Sequence, residues 1–147
     1  MSFFNSLDTS ASGLTAQRLR MDLISQNIAN ANTTRTENGT PYRRKVLVLQ
    51  QRSDGRAFSE YLTDASKAKF GSGGVRVLSV AEDQTPFKRI YDPSNPDADK
   101  DGYVNMPNVD ITTEMINMIS ASRSYEANIS ALNATKSMAM KALEIGR

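Results

Sequence analysis

The sequence predicts an α+β fold. Long N- and C-terminal helices pair as a coiled coil, with a small β-rich insert and irregular loops between them. Three observations predict this. Both ends of the 147-residue chain carry apolar residues at heptad spacing, with almost no Gly or Pro. The middle holds short β-branched runs separated by Gly and Pro. Aromatic residues make up only 7% of the chain, with no Trp, so a single core would be thin and part of the apolar surface is expected to face partner chains. The expected division is 1–32 for the N-terminal helix, 33–109 for the β/loop insert and 110–147 for the C-terminal helix packing on the first.

The N-terminal helix is read from Phe3 to Ala29, where there is no Pro and Gly13 is the only Gly. Leu7, Leu14, Met21 and Ile28 recur every seven residues, and Leu19, Leu23 and Ile24 widen the face. At 1.5 Å per residue such a helix is roughly 40 Å long. Thr33 to Pro41 follows as a loop with an Asn-Gly turn signal. YRRKVLVLQQ (Tyr42 to Gln51) reads as a strand, and Arg52 to Gly73 as a long Gly-containing loop. GVRVLSVAED (Gly74 to Asp83) reads as a second strand, with Val75 and Val77 followed by Ser79 or Ala81 on one face. FKRIYDP is a candidate third strand, and Asp92 to Asn108 an irregular loop.

The C-terminal segment from Asp110 to Ile145 contains neither Gly nor Pro. Ile111, Met118, Tyr125, Leu132 and Ala139 form one heptad row, and Met115, Ile129 and Leu143 the neighbouring one. Asp110 is the expected N-cap and Gly146 the expected stop. The helix would be roughly 53 Å long. Lengths of this order exceed the usual helix of a globular domain.

The composition excludes several chemistries. There is no Cys and no His, which removes disulfides, thiol nucleophiles, imidazole acid–base catalysis and most transition-metal sites. Eighteen basic and sixteen acidic residues leave a net charge of +2, too little to argue for nucleic acid. The N-terminal stretch lacks a basic region followed by an apolar run and a cleavage site, so no secretory signal is expected. No apolar run of about 18 residues suggests a membrane span. No catalytic, cofactor or metal residues are expected.

Five features carry candidate chemistry. DADKDG (Asp97 to Gly102) matches the first half of a calcium loop, but its twelfth position is Asn108, which cannot supply bidentate carboxylate ligation. Pro96 and Pro107 also bracket it, so it reads as an acidic turn. FGSGG (Phe70 to Gly74) lacks the spacing of a phosphate loop. Arg43, Arg44 and Lys45 read as a solvated strand edge. Polar helix faces of mixed sign, including Asp8, Asp22, Glu114 and Glu126, favour packing on protein over lying on a membrane. The asparagines leave two readings. Asn27, Asn30 and Asn32 near the end of the first helix, with Asn117, Asn128 and Asn133 in the second, are either solvated or hydrogen-bonded to neighbouring helices, setting register.

At SGLTAQRLRMDLISQNIANANT (Ser12 to Thr33) the chain resembles the N-terminal signature of flagellar rod and hook axial proteins. Leu14, Ala16, Gln17, Leu19 and the N-I-A-N-A-N run from Asn27 to Asn32 carry that resemblance. S-R-S-Y-E-A-N-I (Ser122 to Ile129) and K-S-M (Lys136 to Met138) match the C-terminal half. YDPSNPDADKDGYVNMPNVD, with PYRRKVLVLQ, resembles the proximal rod branch of that family.

The resemblance implies a structural subunit of the bacterial flagellar basal-body rod, assembling helically as a periplasm-crossing drive shaft around the export channel. It also implies export without a cleaved signal. Implied partners are other copies of the chain, other rod proteins, ring and export-gate adaptor proteins and the type III export apparatus, with no nucleic acid and no membrane span. The implied assembly interface comprises Leu7, Leu14, Met21, Asn27, Ile28, Asn30, Asn32, Met115, Met118, Tyr125, Asn128, Ile129 and Leu132. A helical adaptor of an export apparatus and a calcium-binding module are the alternatives.

Overall fold

The computed structural model describes residues 3–52 and 74–145. The expected Gly146 stop and nearly all of the loop read over Arg52 to Gly73 lie outside them. Helix α1 spans Phe3–Ala29 and helix α2 spans Ile111–Ile145, both as read from heptad spacing. The start of α2 follows from its cap. The Asp110 carboxylate accepts the Thr113 hydroxyl at 2.6 Å and the Thr113 N–H at 3.4 Å, while the Asp110 carbonyl takes the Glu114 N–H at 2.9 Å.

Between the helices lie four strands in two two-stranded sheets: β1 (Lys45–Gln51) with β2 (Val75–Glu82), and β3 (Lys88–Tyr91) with β4 (Tyr103–Met106). The β1–β2 ribbon is bracketed by two backbone bonds, Arg52 N–H to the Gly74 carbonyl and Asp83 N–H to the Arg44 carbonyl, each 2.8 Å. One more residue lies between Gly74 and Asp83 than between Arg44 and Arg52, so β2 carries a bulge. Of the face expected there, only Val77 is half-buried, and Val75, Ser79 and Ala81 are exposed.

Strands β3 and β4 are antiparallel, pairing Lys88 with Met106 and Tyr91 with Tyr103. Strand β4 corrects the expectation of an irregular loop from Asp92 to Asn108. Only four residues, YVNM, lie between Gly102 and Pro107, too short a run to show a period. The connection closes by Asp92 N–H to the Gly102 carbonyl at 2.9 Å and Gly102 N–H to the Asp99 carbonyl at 2.8 Å. Gly102 has φ +78°, and a Cβ there would sit 2.9 Å from the Tyr91 ring, so both conformation and space require glycine.

Tertiary contacts divide the chain into two compact units. Among the described residues one comprises 3–18, 49–52, 74–78 and 123–145, and the other 19–48 and 79–122. In the first, Gly13 of α1 lies against Asn128 of α2. A Cβ at Gly13 would meet the Asn128 amide nitrogen at 3.2 Å, which accounts for a glycine inside a helix, where it costs roughly 0.5–1 kcal/mol against Ala. The second unit holds the core: Leu23, Ile24, Ala31, Tyr42, Val104, Val109 and Ala121 are buried, with Asn27 and Glu114 among them.

Hydrogen bonds from Thr113 hold the Asp110 carboxyl below its ordinary value of 3.8. A depressed carboxyl pKa contributes stability above the unfolded value, and this is lost as pH falls through the folded value. Asp110→Ala is therefore expected to lower the urea midpoint of the full chain at neutral pH. The gap to the parent should narrow as pH falls below the ordinary carboxylate range. A pH-independent gap in circular-dichroism titrations would contradict this cap.

Candidate functional site

Within the second unit one polar cluster joins α1, the entry to β1 and the first turn of α2. Its centre is Glu114, whose side chain is 1% exposed. An isolated carboxylate at such a place would be strongly unfavourable. The chain answers with Arg44, which donates from Nε at 3.0 Å and from a terminal nitrogen at 2.7 Å to Glu114 Oε1. Asn117 donates to the same oxygen at 3.3 Å and Asn27 to Oε2 at 3.0 Å. Burial alone would weaken the Arg44 guanidinium as a base, but the bonds and charge of Glu114 and Asp83 hold its pKa above the ordinary value.

Asn27 uses its whole hydrogen-bonding capacity. Its Nδ2 donates to Glu114 and to the Lys45 carbonyl at 2.9 Å, and its Oδ1 accepts the Lys45 N–H at 2.9 Å and the Tyr42 hydroxyl at 3.0 Å. Towards Lys45 the side-chain amide therefore acts as a strand would, exchanging both bonds with one residue. Desolvation, then the charges of Glu114 and Glu82, push the Tyr42 hydroxyl above its ordinary pKa, so it remains a donor. Asn108 repeats the device. Its Oδ1 accepts the Arg44 N–H at 2.8 Å, and its Nδ2 donates to the Asp83 carbonyl at 3.0 Å and the Thr85 hydroxyl at 2.8 Å.

The cluster corrects two expectations. Glu114 does not lie on a solvated helix face, and Arg44 is not a solvated strand edge, because each is the other's partner. Arg43 is half-buried too, with its guanidinium 4.5 Å from the Phe87 ring centroid and a bond to the Asp83 carbonyl at 3.3 Å. One sequence signal existed. Glu114, Ala121, Asn128 and Thr135 are seven residues apart, and all are buried or half-buried, but as a small and polar row they escape a search for apolar periodicity.

The expected interface residues fall into three groups. Leu7, Leu14, Met21 and Ile28 are half-buried and flank the more deeply buried Ala16, Leu23, Ile24 and Asn27. Met118, Tyr125, Asn128 and Leu132 are half-buried on α2. Met115 and Ile129 are exposed, Met115 by 54%. Of the remaining asparagines, Asn30 is half-buried and bonds the Gln26 carbonyl at 2.9 Å, while Asn32 is exposed.

In the acidic turn, Asp97 accepts the Thr34 hydroxyl at 2.8 Å and lies 3.9 Å from Arg35, and Asp99 lies 4.0 Å from Arg89. Among the described residues no group of three or more His, Cys, Asp or Glu is placed to hold a metal ion.

Residues 7–35 match the family described as "Flagella basal body rod protein", and residues 100–145 the one described as "Flagellar basal body rod FlgEFG protein C-terminal". Over 152 aligned residues covering all of both chains, the sequence is 51% identical to the flagellar basal-body rod protein FlgC of Bacillus subtilis (strain 168). The chain belongs to the FlgC family of flagellar basal-body rod proteins. Identity to the FlgC of Borreliella burgdorferi is 46%, covering 99% of this chain and 98% of that one, and to the FlgC of Salmonella typhimurium 44%, covering all of both. Calcium-module and export-adaptor readings are not favoured by these FlgC relatives. In this FlgC-family chain the two matched regions meet at the cluster, where Asn27 of the first bonds Glu114 of the second at 3.0 Å. Among the described residues no helix is long and apolar enough to cross a membrane.

Breaking one partner of a buried ion pair costs about 3–5 kcal/mol, whereas replacing both with apolar residues costs far less. Arg44→Met and Glu114→Leu are each expected to destabilise the chain by that order, and the double variant by much less than their sum. Urea unfolding of the four proteins measures the coupling; additive effects would show that the pair does not act as a unit.

Proposed function

We propose that this subunit of the flagellar basal-body rod acts through packing alone. Its terminal helices associate with those of other copies and other rod proteins in a repeating contact that does not close, which yields a helical shaft. The shaft encloses the export channel and carries torque by resisting shear between subunits. The chain's place is the flagellar basal body. In this reading 1–32 and 110–147 are the assembling segments and 33–109 the peripheral insert, and no bond is made or broken by the chain. Contacts with ring and export-gate adaptors, and delivery by the type III apparatus, belong to the same proposal.

The observation that carries it is the outer face of α2. Ile111, Met115, Ile116 and Ile119 are all exposed on one arc of the helix, beside the turn that buries Glu114. Large aliphatic side chains outside and a carboxylate inside invert the usual arrangement, and such a contiguous apolar face marks a contact with another protein. The half-buried rows through Leu14 and Leu132 extend the surface that neighbouring subunits complete.

Met115→Asp tests this directly. Met115 is more than half exposed, so the variant is expected to keep the parental stability in urea unfolding to within about 0.5 kcal/mol. In cells it should be exported but absent from purified basal bodies, and the cells should not spread in soft agar. Normal spreading would overturn the role of this face. Leu14→Asp with Leu132→Asp should likewise abolish rod assembly.

A further inference from the structure

Within the first unit the β1–β2 ribbon meets α1 where Arg52 pairs with Gly74. The Val75 N–H donates to the Ser12 hydroxyl at 3.0 Å, and that hydroxyl donates to the Thr9 carbonyl at 2.7 Å. Arg52, whose N–H bonds the Gly74 carbonyl at 2.8 Å, reaches Asp8 at 3.0 Å. Gly74 lies directly on the helix. A Cβ there would run into the Ser12 hydroxyl and stand 3.3 Å from the Thr9 Cα. Its φ is not positive, so glycine is needed here for the close approach of two backbones.

These contacts contribute little to stability. The Asp8–Arg52 pair is exposed on both sides, and such pairs are worth little. The only buried hydrophobic residue among those described in this unit is Ala16. What the contacts fix is geometry. A serine that donates back to its own helix aims its lone pairs in a set direction, and here they take the Val75 N–H. Gly74 has no side chain, so the strand cannot shift on the helix by changing rotamer, as it could through a long side chain.

We propose that Ser12 and Gly74 form a joint that sets the direction in which the β1–β2 ribbon leaves α1, with Ser12 the positioning residue. Neighbouring subunits meet helix and ribbon together, so a subunit whose joint is displaced does not fit its place in the rod. That requirement rests on the rod reading above; the joint itself does not.

The chain has no Cys, so Asp8→Cys with Arg52→Cys supplies a single thiol pair across the joint. A short bismaleimide should link this pair in the purified full chain. Adding Gly74→Ala should slow linking about tenfold, because intramolecular rates follow how closely two groups are held. Adding Ser12→Gly as well removes the hydroxyl and Cβ that the new methyl meets, and should restore the rate. Equal rates in all three chains would overturn the joint. With Asp8 and Arg52 intact, Gly74→Ala should be exported and keep the parental urea midpoint, yet be absent from purified basal bodies, and the cells should not spread in soft agar. Ser12→Gly in the same chain should restore incorporation. Normal incorporation of Gly74→Ala, a lowered urea midpoint, or no restoration would each overturn the role of the joint in placing the subunit. Slowed and restored linking in a chain whose parent never enters basal bodies would overturn the rod reading alone.

Discussion

A carboxylate with almost no contact with water dictates much of this molecule. Glu114 sits four residues after the cap of α2, where it cannot reach solvent, so a cation and two amides must be brought to it. Arg44 comes from the residue before β1, Asn27 from the last turns of α1, and Asn117 from α2 itself. The arrival of these groups fixes where α1 ends, how the chain turns through Thr33 to Pro41, and where the first strand starts. Tyr42 and Val109 pack beside them with Ala31. The polar cluster is therefore a structural keystone, and the thin apolar core is arranged around it.

That arrangement explains which parts of the fold were legible in the sequence. Both helices, three of the four strands and the Asp110 cap follow from local signals: heptad spacing, β-branched runs, and an acidic residue before a long segment free of Gly and Pro. Strand β4 is not legible because four residues carry no period. The buried small positions are illegible for another reason. Gly13 lies against Asn128, and Ala16 and Ala121 are buried, positions where a search for Leu or Met finds nothing. Asn27 was noticed, yet its partners lie 18 and 87 residues away, and no local rule links it to them. Which of the two readings of the asparagines holds differs from residue to residue. Asn27 sets register, Asn30 bonds within its own helix, and Asn32 faces solvent.

The same economy bears on assembly. A chain that fills its interior with Asn, Glu, Arg and Ala leaves large aliphatic side chains such as Met115, Ile116 and Ile119 exposed, the face proposed above for assembly. The exposed arc on α2 is thus the counterpart of the buried polar cluster. Polar bonds confer one geometry because each donor needs its own acceptor, whereas apolar faces supply association energy with little directional demand. Directional bonds thus lie inside the subunit, and its large aliphatic side chains lie on the exposed arc of α2.

Asn108 limits what this sequence can become. It stands at the twelfth position counted from Asp97, where a calcium loop requires a bidentate Glu, and its amide already holds the Arg44 N–H and the Asp83 carbonyl. A carboxylate there could accept from Arg44 but could not donate to Asp83. Metal affinity and the clamp that closes the β1–β2 ribbon thus compete for one side chain, and no single replacement at this position serves both. The acidic turn is half a metal loop whose completion the fold itself opposes.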